Sequence, residues 1–205
     1  MSFSNYKSIG VVAKEYKIKC LSSSFVVEVD FPVGESFKEE LKLLFSEGVV
    51  NNSEAAICEN LIYPVLKEVW KVYRRKFILW SHETLYYDQK LSGVPDYILA
   101  ARSPLGTAVF DKPYFLTVEA KQDKFTEGWG QCLAEMVAVQ KSNQDLEQTI
   151  YGIVSNGLVW QFGNLKGDTF TQNSGSYLIE DLDRLFAAVN YVFQQCELQV
   201  GEVLG

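Results

Sequence analysis

An apolar run that breaks into two charges, Tyr114-Phe115-Leu116-Thr117-Val118-Glu119-Ala120-Lys121, restricts this chain more than any other segment of its 205 residues. The first five residues read as a strand buried on at least one face. A strand's period of two then sets Glu119 and Lys121 on one side and Ala120 on the other. Ions are seldom left at the end of a buried strand without work to do. A second run, Gly93-Val94-Pro95-Asp96-Tyr97-Ile98-Leu99-Ala100, lies upstream with a carboxylate at its entrance. Adjacent strands bearing Asp and then Glu-x-Lys can hold a divalent cation.

With 47% hydrophobic and 14% aromatic residues, the chain can bury one sizeable core. The expected organisation is a single domain over 1–205, with an extension at 1–50, the chemically informative core at 51–163, and a C-terminal remainder and helix at 164–205. No run of eighteen apolar residues exists, and the opening Met1-Ser2-Phe3-Ser4-Asn5 has neither a basic nor an apolar leader segment. Membrane insertion and export are therefore not indicated, and a cytoplasmic location is the default. Cys20, Cys58, Cys132 and Cys196 lie far apart with no C-x-x-C pair, and His82 is the only histidine. Those spacings argue against a zinc site and against a disulfide framework, leaving four buried thiols as the expectation.

The net charge of −7 weighs against a polyanionic partner, but its distribution softens the objection. Residues 145–205 hold 8 acidic and 2 basic side chains, so the first 144 residues are nearly neutral, with 18 acids and 17 bases. Lys67, Lys71, Arg74, Arg75 and Lys76 form the densest basic cluster. A solvated helix end is the first reading of that cluster, and phosphate contact the second.

Along the chain, residues 14–33 read as edge strands or an irregular hairpin, clearest at Phe25 to Val29, and Glu35 to Glu47 as a short helix stopped by Gly48. A helix then runs from Asn51 to about Tyr73 with a break near Pro64. Strands follow at Phe77 to Thr84, Val94 to Ala101 and Tyr114 to Lys121. Next come a helix from Glu127 to Lys141 capped by Thr126, a strand from Thr149 to Val154, an Asn156-Gly157 turn and a strand from Leu158 to Phe162. Apolar residues at 182, 185, 186, 189 and 193 suit a closing helix within 179–198.

On a helical wheel begun at Glu54, Ile57, Cys58, Leu61 and Val65 fall within about 60° of it, so Glu54 is expected to point inward. Two accounts stay open. Asn51 caps the helix and Glu54 completes a capping box, or the carboxylate stands beside a cation. Glu59 faces away. Asp96 follows Pro95, which favours extended geometry before it and displays Asp96 at the strand's edge. In the later helix Gln131 shares a face with Ala134, Glu135 and Ala138, while Cys132, Leu133, Met136 and Val137 take the other side. His82 reads as a satisfied or exposed residue rather than a base.

Asp96, Glu119-Ala120-Lys121 and the order of elements around them resemble the PD-(D/E)xK nuclease superfamily, the fold of many restriction endonucleases. The likeness is nearest to the N-terminal nuclease domains of type I restriction subunits and to small stand-alone relatives of them. Asn52-Ser53-Glu54-Ala55-Ala56 followed by Leu61 to Leu66 looks like their first helix, and Tyr151 to Phe162 looks like their strand and hairpin after the second helix. The resemblance covers about 51–163. It implies an α/β (α+β) core of a helix, three antiparallel strands, a helix and a further strand, with a central mixed sheet flanked by helices. It also implies that Asp96, Glu119 and the Ala120 carbonyl bind Mg²⁺ or Mn²⁺, that Glu54 is the helix-borne acid, that Lys121 orients or activates the attacking water, and that Gln131 matches a glutamine of the second helix. In many relatives a tyrosine follows that glutamine by four residues, whereas here the position is Glu135.

The expected function is therefore metal-dependent phosphodiester hydrolysis, with DNA the expected partner and a homodimer allowed. A competing expectation is a catalytically inactive module of the same fold that binds a protein partner through its acidic C-terminal region, or a nucleic acid. A hydrolase with a serine or cysteine nucleophile is poorly supported, because no G-x-S-x-G is present and His82 would have to serve as the base.

Overall fold

The computed structural model describes residues 2–203, with side chains to 200. It is a mixed α/β fold built on one large sheet in which the charged-ended run is an interior strand. Strands β1 (Lys19–Ser23), β2 (Phe77–Ser81), β5 (Tyr97–Ala101), β6 (Tyr114–Ala120), β7 (Ile150–Ser155), β8 (Val159–Lys166) and β9 (Thr169–Asn173) lie in the order β1-β9-β8-β7-β6-β5-β2, and β10 (Tyr177–Leu178) pairs with β8. A separate ribbon joins β3 (Leu85–Tyr86) to β4 (Ser92–Gly93). Every residue of β6 is buried. Both of its faces are covered, so it reads as a nearly continuous apolar string rather than an alternating one.

Helices α2 (Glu35–Glu47), α4 (Tyr63–Tyr73) and α6 (Leu182–Val203) cover one face through a core that includes Leu61, Val65, Phe77, Leu116, Val118, Phe186 and Phe193. Helix α5 (Phe125–Asn143) covers the other face and is itself overlaid by a single 3₁₀ turn (Phe3–Asn5) and α1 (Ile9–Tyr16). Strands β2, β5 and β6 are antiparallel, and β6 pairs in parallel with β7 after the α5 crossover. The expected helix, three antiparallel strands, helix and further strand is thus the arrangement found. Among the described residues, no helix is long and apolar enough to cross a membrane.

Several local expectations need correction. Phe25 to Val29 is not a strand. It is an extended connection held by Asn173 Oδ1, which accepts from the Phe25 and Val26 amides, and by a bond from Val29 N–H to the Ala187 carbonyl. The strand of this region is β1, which pairs in parallel with β9. Helix α5 begins at Phe125 without a side-chain cap, so Thr126 lies inside it. From Gly128 to Gln140 it is buried at every position except Gln131, so the division into two faces does not hold. The N-terminal segment supplies the second cover, which a wheel drawn on the helix alone cannot reveal. Cys20 is exposed, whereas the other three thiols are buried.

The first helix of the core is broken. Ser53 is its cap, its Oγ accepting from the Ala56 amide, and Glu54 is the first helical residue rather than the third. The Asn51 capping box is therefore not formed. Residues Cys58–Ile62 widen into a π turn before α4 starts at Tyr63. Pro64 has no amide to donate, and its ring crowds the preceding turn, so the break falls where the sequence puts the proline. The Asn156-Gly157 turn is packed against this segment. Gly157 has φ of 83°, and a Cβ there would come 2.5 Å from Leu61 Cδ1, so glycine is needed both for the turn and for the contact.

Gly130 sets how closely α5 approaches the N-terminal segment. A Cβ on it would overlap the Tyr6 carbonyl and the Ser8 amide, which are backbone and cannot swing aside. Gly130→Ala is expected to lower stability by about 1–3 kcal/mol and to loosen residues 3–16, read as an earlier urea midpoint together with faster proteolysis ahead of Lys17. An unchanged midpoint would show that this contact has slack.

Candidate active site

The polar residues gather at one end of β5 and β6, where α3 (Glu54–Ile57) and the start of α5 meet the sheet. The register pairs Tyr97 with Val118, so one step further Asp96 stands across from Glu119, on the same side of the sheet. Asp96 closes the end of the pairing itself, with its Oδ2 accepting from the Ala120 amide at 2.7 Å. Pro95 cannot extend the ladder, which leaves Asp96 at the entrance of the strand, as the sequence implies.

Lys121 lies between two carboxylates. Its ammonium is 2.8 Å from Glu119 Oε1 and 3.5 Å from Glu54 Oε2. The lysine side chain is only 12% exposed and that of Glu119 5%, while Glu54 is 51% exposed at the rim. The inward orientation expected of Glu54 is thus overturned. One turn of α-helix leads straight into the π turn, which breaks the 100° step on which that wheel depends. Glu54 nevertheless reaches the site from its edge. The Lys121 stem passes over Gly128 of α5, where a Cβ would come 2.9 Å from Lys121 Cγ.

Glu135, which the sequence places only as the residue four after Gln131, completes the group. Its side chain is buried and hydrogen-bonds to Glu119, while its Oε2 has no hydrogen-bond partner. The signal lay in Cys132-Leu133-Ala134-Glu135-Met136-Val137-Ala138-Val139, where one acid interrupts an otherwise apolar stretch of a helix buried all round. Gln131, one turn earlier, is half-buried. The contacts of the acids run to Ala120, His82, Lys121 and Glu135 and do not include it.

The electrostatics follow from this crowding. Burial raises the Asp96 carboxyl above its ordinary value, against the Ala120 amide, which pulls it down. Burial, and then the Asp96 charge, push Glu119 up to about 7. Full burial and then Glu119 raise Glu135 well above its ordinary value, which favours the protonated form donating to the Glu119 carboxylate. Desolvation works against the Lys121 ammonium, but Glu119, Glu54 and Asp96 outweigh it and its pKa goes up. Two more groups stand close by. His82 Nε2 is 3.4 Å from Asp96 Oδ1, and burial pushes the Cys58 thiol up to about 12.

The donor set fits a hard divalent cation on the chemistry of its atoms. It offers the carboxylate oxygens of Asp96 and Glu119 in a place where four carboxyl groups face a single ammonium. The basic cluster does not contribute. Lys71 pairs with Glu68, Lys76 with Glu197, and Lys67 lies over the Tyr63 ring, so the cluster belongs largely to the solvated helix end. Compared with known proteins, the chain matches no family model and no curated sequence.

Between pH 4.5 and about 7 the folded chain holds a proton on Glu119 that the unfolded chain has lost, so stability falls as pH rises through that window. Glu135 is raised in the same direction and steepens the fall. Glu135→Gln is expected to flatten the decline by about 1 kcal/mol or more between roughly pH 5 and pH 8, measured as urea midpoints across the range. An unchanged slope would mean that the two carboxyls do not share a proton.

Proposed function

We propose that this protein is a metal-dependent nuclease of the PD-(D/E)xK type, hydrolysing phosphodiester bonds in DNA with Mg²⁺ or Mn²⁺. The observation that carries the reading is the excess of buried acid over base at the end of two paired strands: Asp96, Glu119 and Glu135 crowd about one lysine, with Glu54 at the rim. Such an arrangement is costly unless something positive sits beside it. Asp96, Glu119 and the Ala120 carbonyl are the groups that would hold the cation. When bound, it would lower the pKa of a water and offset charge that develops on the phosphate.

The chain's own residues account for the rest. Lys121 keeps its charge and stands beside Glu119, where it can orient an attacking water and stabilise the negative charge growing on the phosphate oxygens. Glu54, half in solvent, can accept a hydrogen bond from that water through its remaining oxygen. Glu135, protonated, holds the Glu119 carboxylate in place from beneath. The Ala120 amide fixes the rotamer of Asp96 by binding Oδ2, leaving Oδ1 as the oxygen for a ligand. No histidine or cysteine nucleophile is needed by this chemistry.

Purified protein is expected to cut plasmid or single-stranded DNA in the presence of Mg²⁺ or Mn²⁺ and to stop when the metal is chelated. Asp96→Ala and Lys121→Ala should each lower the rate by about 100-fold or more while circular dichroism stays unchanged. Full activity in both variants would remove the proposal. Calorimetric metal binding that is indifferent to Asp96 and Glu119 would favour a non-catalytic module that docks a partner.

A further inference from the structure

Cys58, His82 and Asp96 form a grouping that phosphodiester hydrolysis leaves largely unused. The thiol comes from the π turn, the imidazole from the residue after β2 and the carboxylate from the entrance of β5, and one donor atom of each lies within 4.8 Å of the other two. We propose that these three side chains bind a zinc-class divalent cation, and that this cation competes with the magnesium-type ion for the Asp96 carboxylate. The binding stands on these residues alone, whereas the competition rests on the proposed function.

Donor chemistry selects the metal. A thiolate, an imidazole nitrogen and one carboxylate oxygen make a three-ligand set typical of zinc with its fourth position open, whereas magnesium takes oxygen donors and does not use sulfur. The three segments are also tied to one another before any ion arrives. The His82 amide donates to the Asp96 carbonyl at 2.9 Å, and the Tyr97 hydroxyl donates to the Cys58 carbonyl at 3.1 Å. Ser81 Oγ lies 2.8 Å from His82 Nδ1. A proton on Nδ1 donated to that oxygen leaves Nε2, which faces Asp96 Oδ1 at 3.4 Å, as the bare nitrogen a metal requires.

The backbone is irregular at two of the three ligands. His82 has φ of 52°, uncommon for a residue with a side chain, and Cys58 opens the π turn. Backbone geometry of this kind persists where surrounding structure over-determines it, and π turns recur at functional positions. Cys58 is buried and His82 exposed, so the sulfur lies on the inner side of the grouping and the imidazole on the solvent side. Asp96 has one oxygen held by the Ala120 amide and one left over, which is why two cations cannot both be served.

Calorimetric titration of metal-free protein with zinc chloride, and the thiolate-to-cobalt absorption band after Co²⁺ addition, test the site directly. One ion per chain is expected. Cys58→Ala and His82→Asn, the latter keeping a residue tolerant of positive φ at an exposed position, should each weaken zinc binding by well over about 100-fold, beyond the loss from a group that only orients a ligand. Zinc bound as tightly by either variant as by the wild type, or no cobalt–thiolate band in the wild type, would overturn the site. For the competition, one equivalent of zinc should displace bound Mn²⁺, followed by its paramagnetic resonance, from the wild type and not from the two variants. Equal displacement in all three, or in none, would overturn it. If the wild type binds no Mn²⁺, the nuclease reading fails, and the zinc titration still decides the site.

Discussion

Carrying an ionisable carboxyl into the end of a fully buried strand is the constraint to which the rest of the structure answers. Glu119 lies on β6, which is covered on both faces, and an unpaired carboxylate there would cost several kcal/mol. Two things lower that cost together. Lys121 follows two residues later on the same side at 2.8 Å, and Glu135 supplies a hydrogen bond from α5, whereas the Asp96 charge works against them. Helix α5 must come close for this to work. It does so through Gly128, over which the lysine stem passes, while Gly130 serves the outer side, against which the N-terminal segment rests.

Much of the sheet was legible because its signals are local. Strand β6 was marked by its apolar run, β5 by Pro95 and the residues after it, the β7–β8 hairpin by Asn156-Gly157, and α2 by Gly48 at its end. The pair Glu119 and Lys121 followed from the period of two, and the placement of Asp96 opposite Glu119 from two adjacent strands read in order. These are the cases in which backbone geometry alone decides where a side chain goes.

What could not be read depended on other parts of the chain. The wheel for Glu54 assumed an unbroken helix, and the π turn ahead of Pro64 takes away that assumption within one turn. Glu135 was set aside as a departure from a family pattern, because its burial depends on α1 and the first residues covering the outer side of α5. The grouping of Cys58, His82 and Asp96 joins positions 24 and 14 residues apart in order along the chain, so a rule based on ligand spacing within one local segment passes over it. Phe25 to Val29 has the composition of a strand but pairs with none, and side-chain and main-chain bonds to Asn173 and Ala187 hold it extended.

In the proposed reading the charge balance also explains how an acidic chain could accept a polyanion. Arg74 to Lys76 stand at the start of β2, and the site lies past its end, so a strand of about 16 Å separates them. That exceeds the screening length of about 8 Å at physiological salt, so these three cations cannot offset the field at the site. The local groups must do so. With Glu135 neutral, the charges of Asp96, Glu119 and Glu54 exceed that of Lys121 by two, and one divalent cation would cancel that excess. Metal binding would therefore convert a repelling opening into a neutral one, making the ion a condition for phosphate approach as well as a participant in hydrolysis.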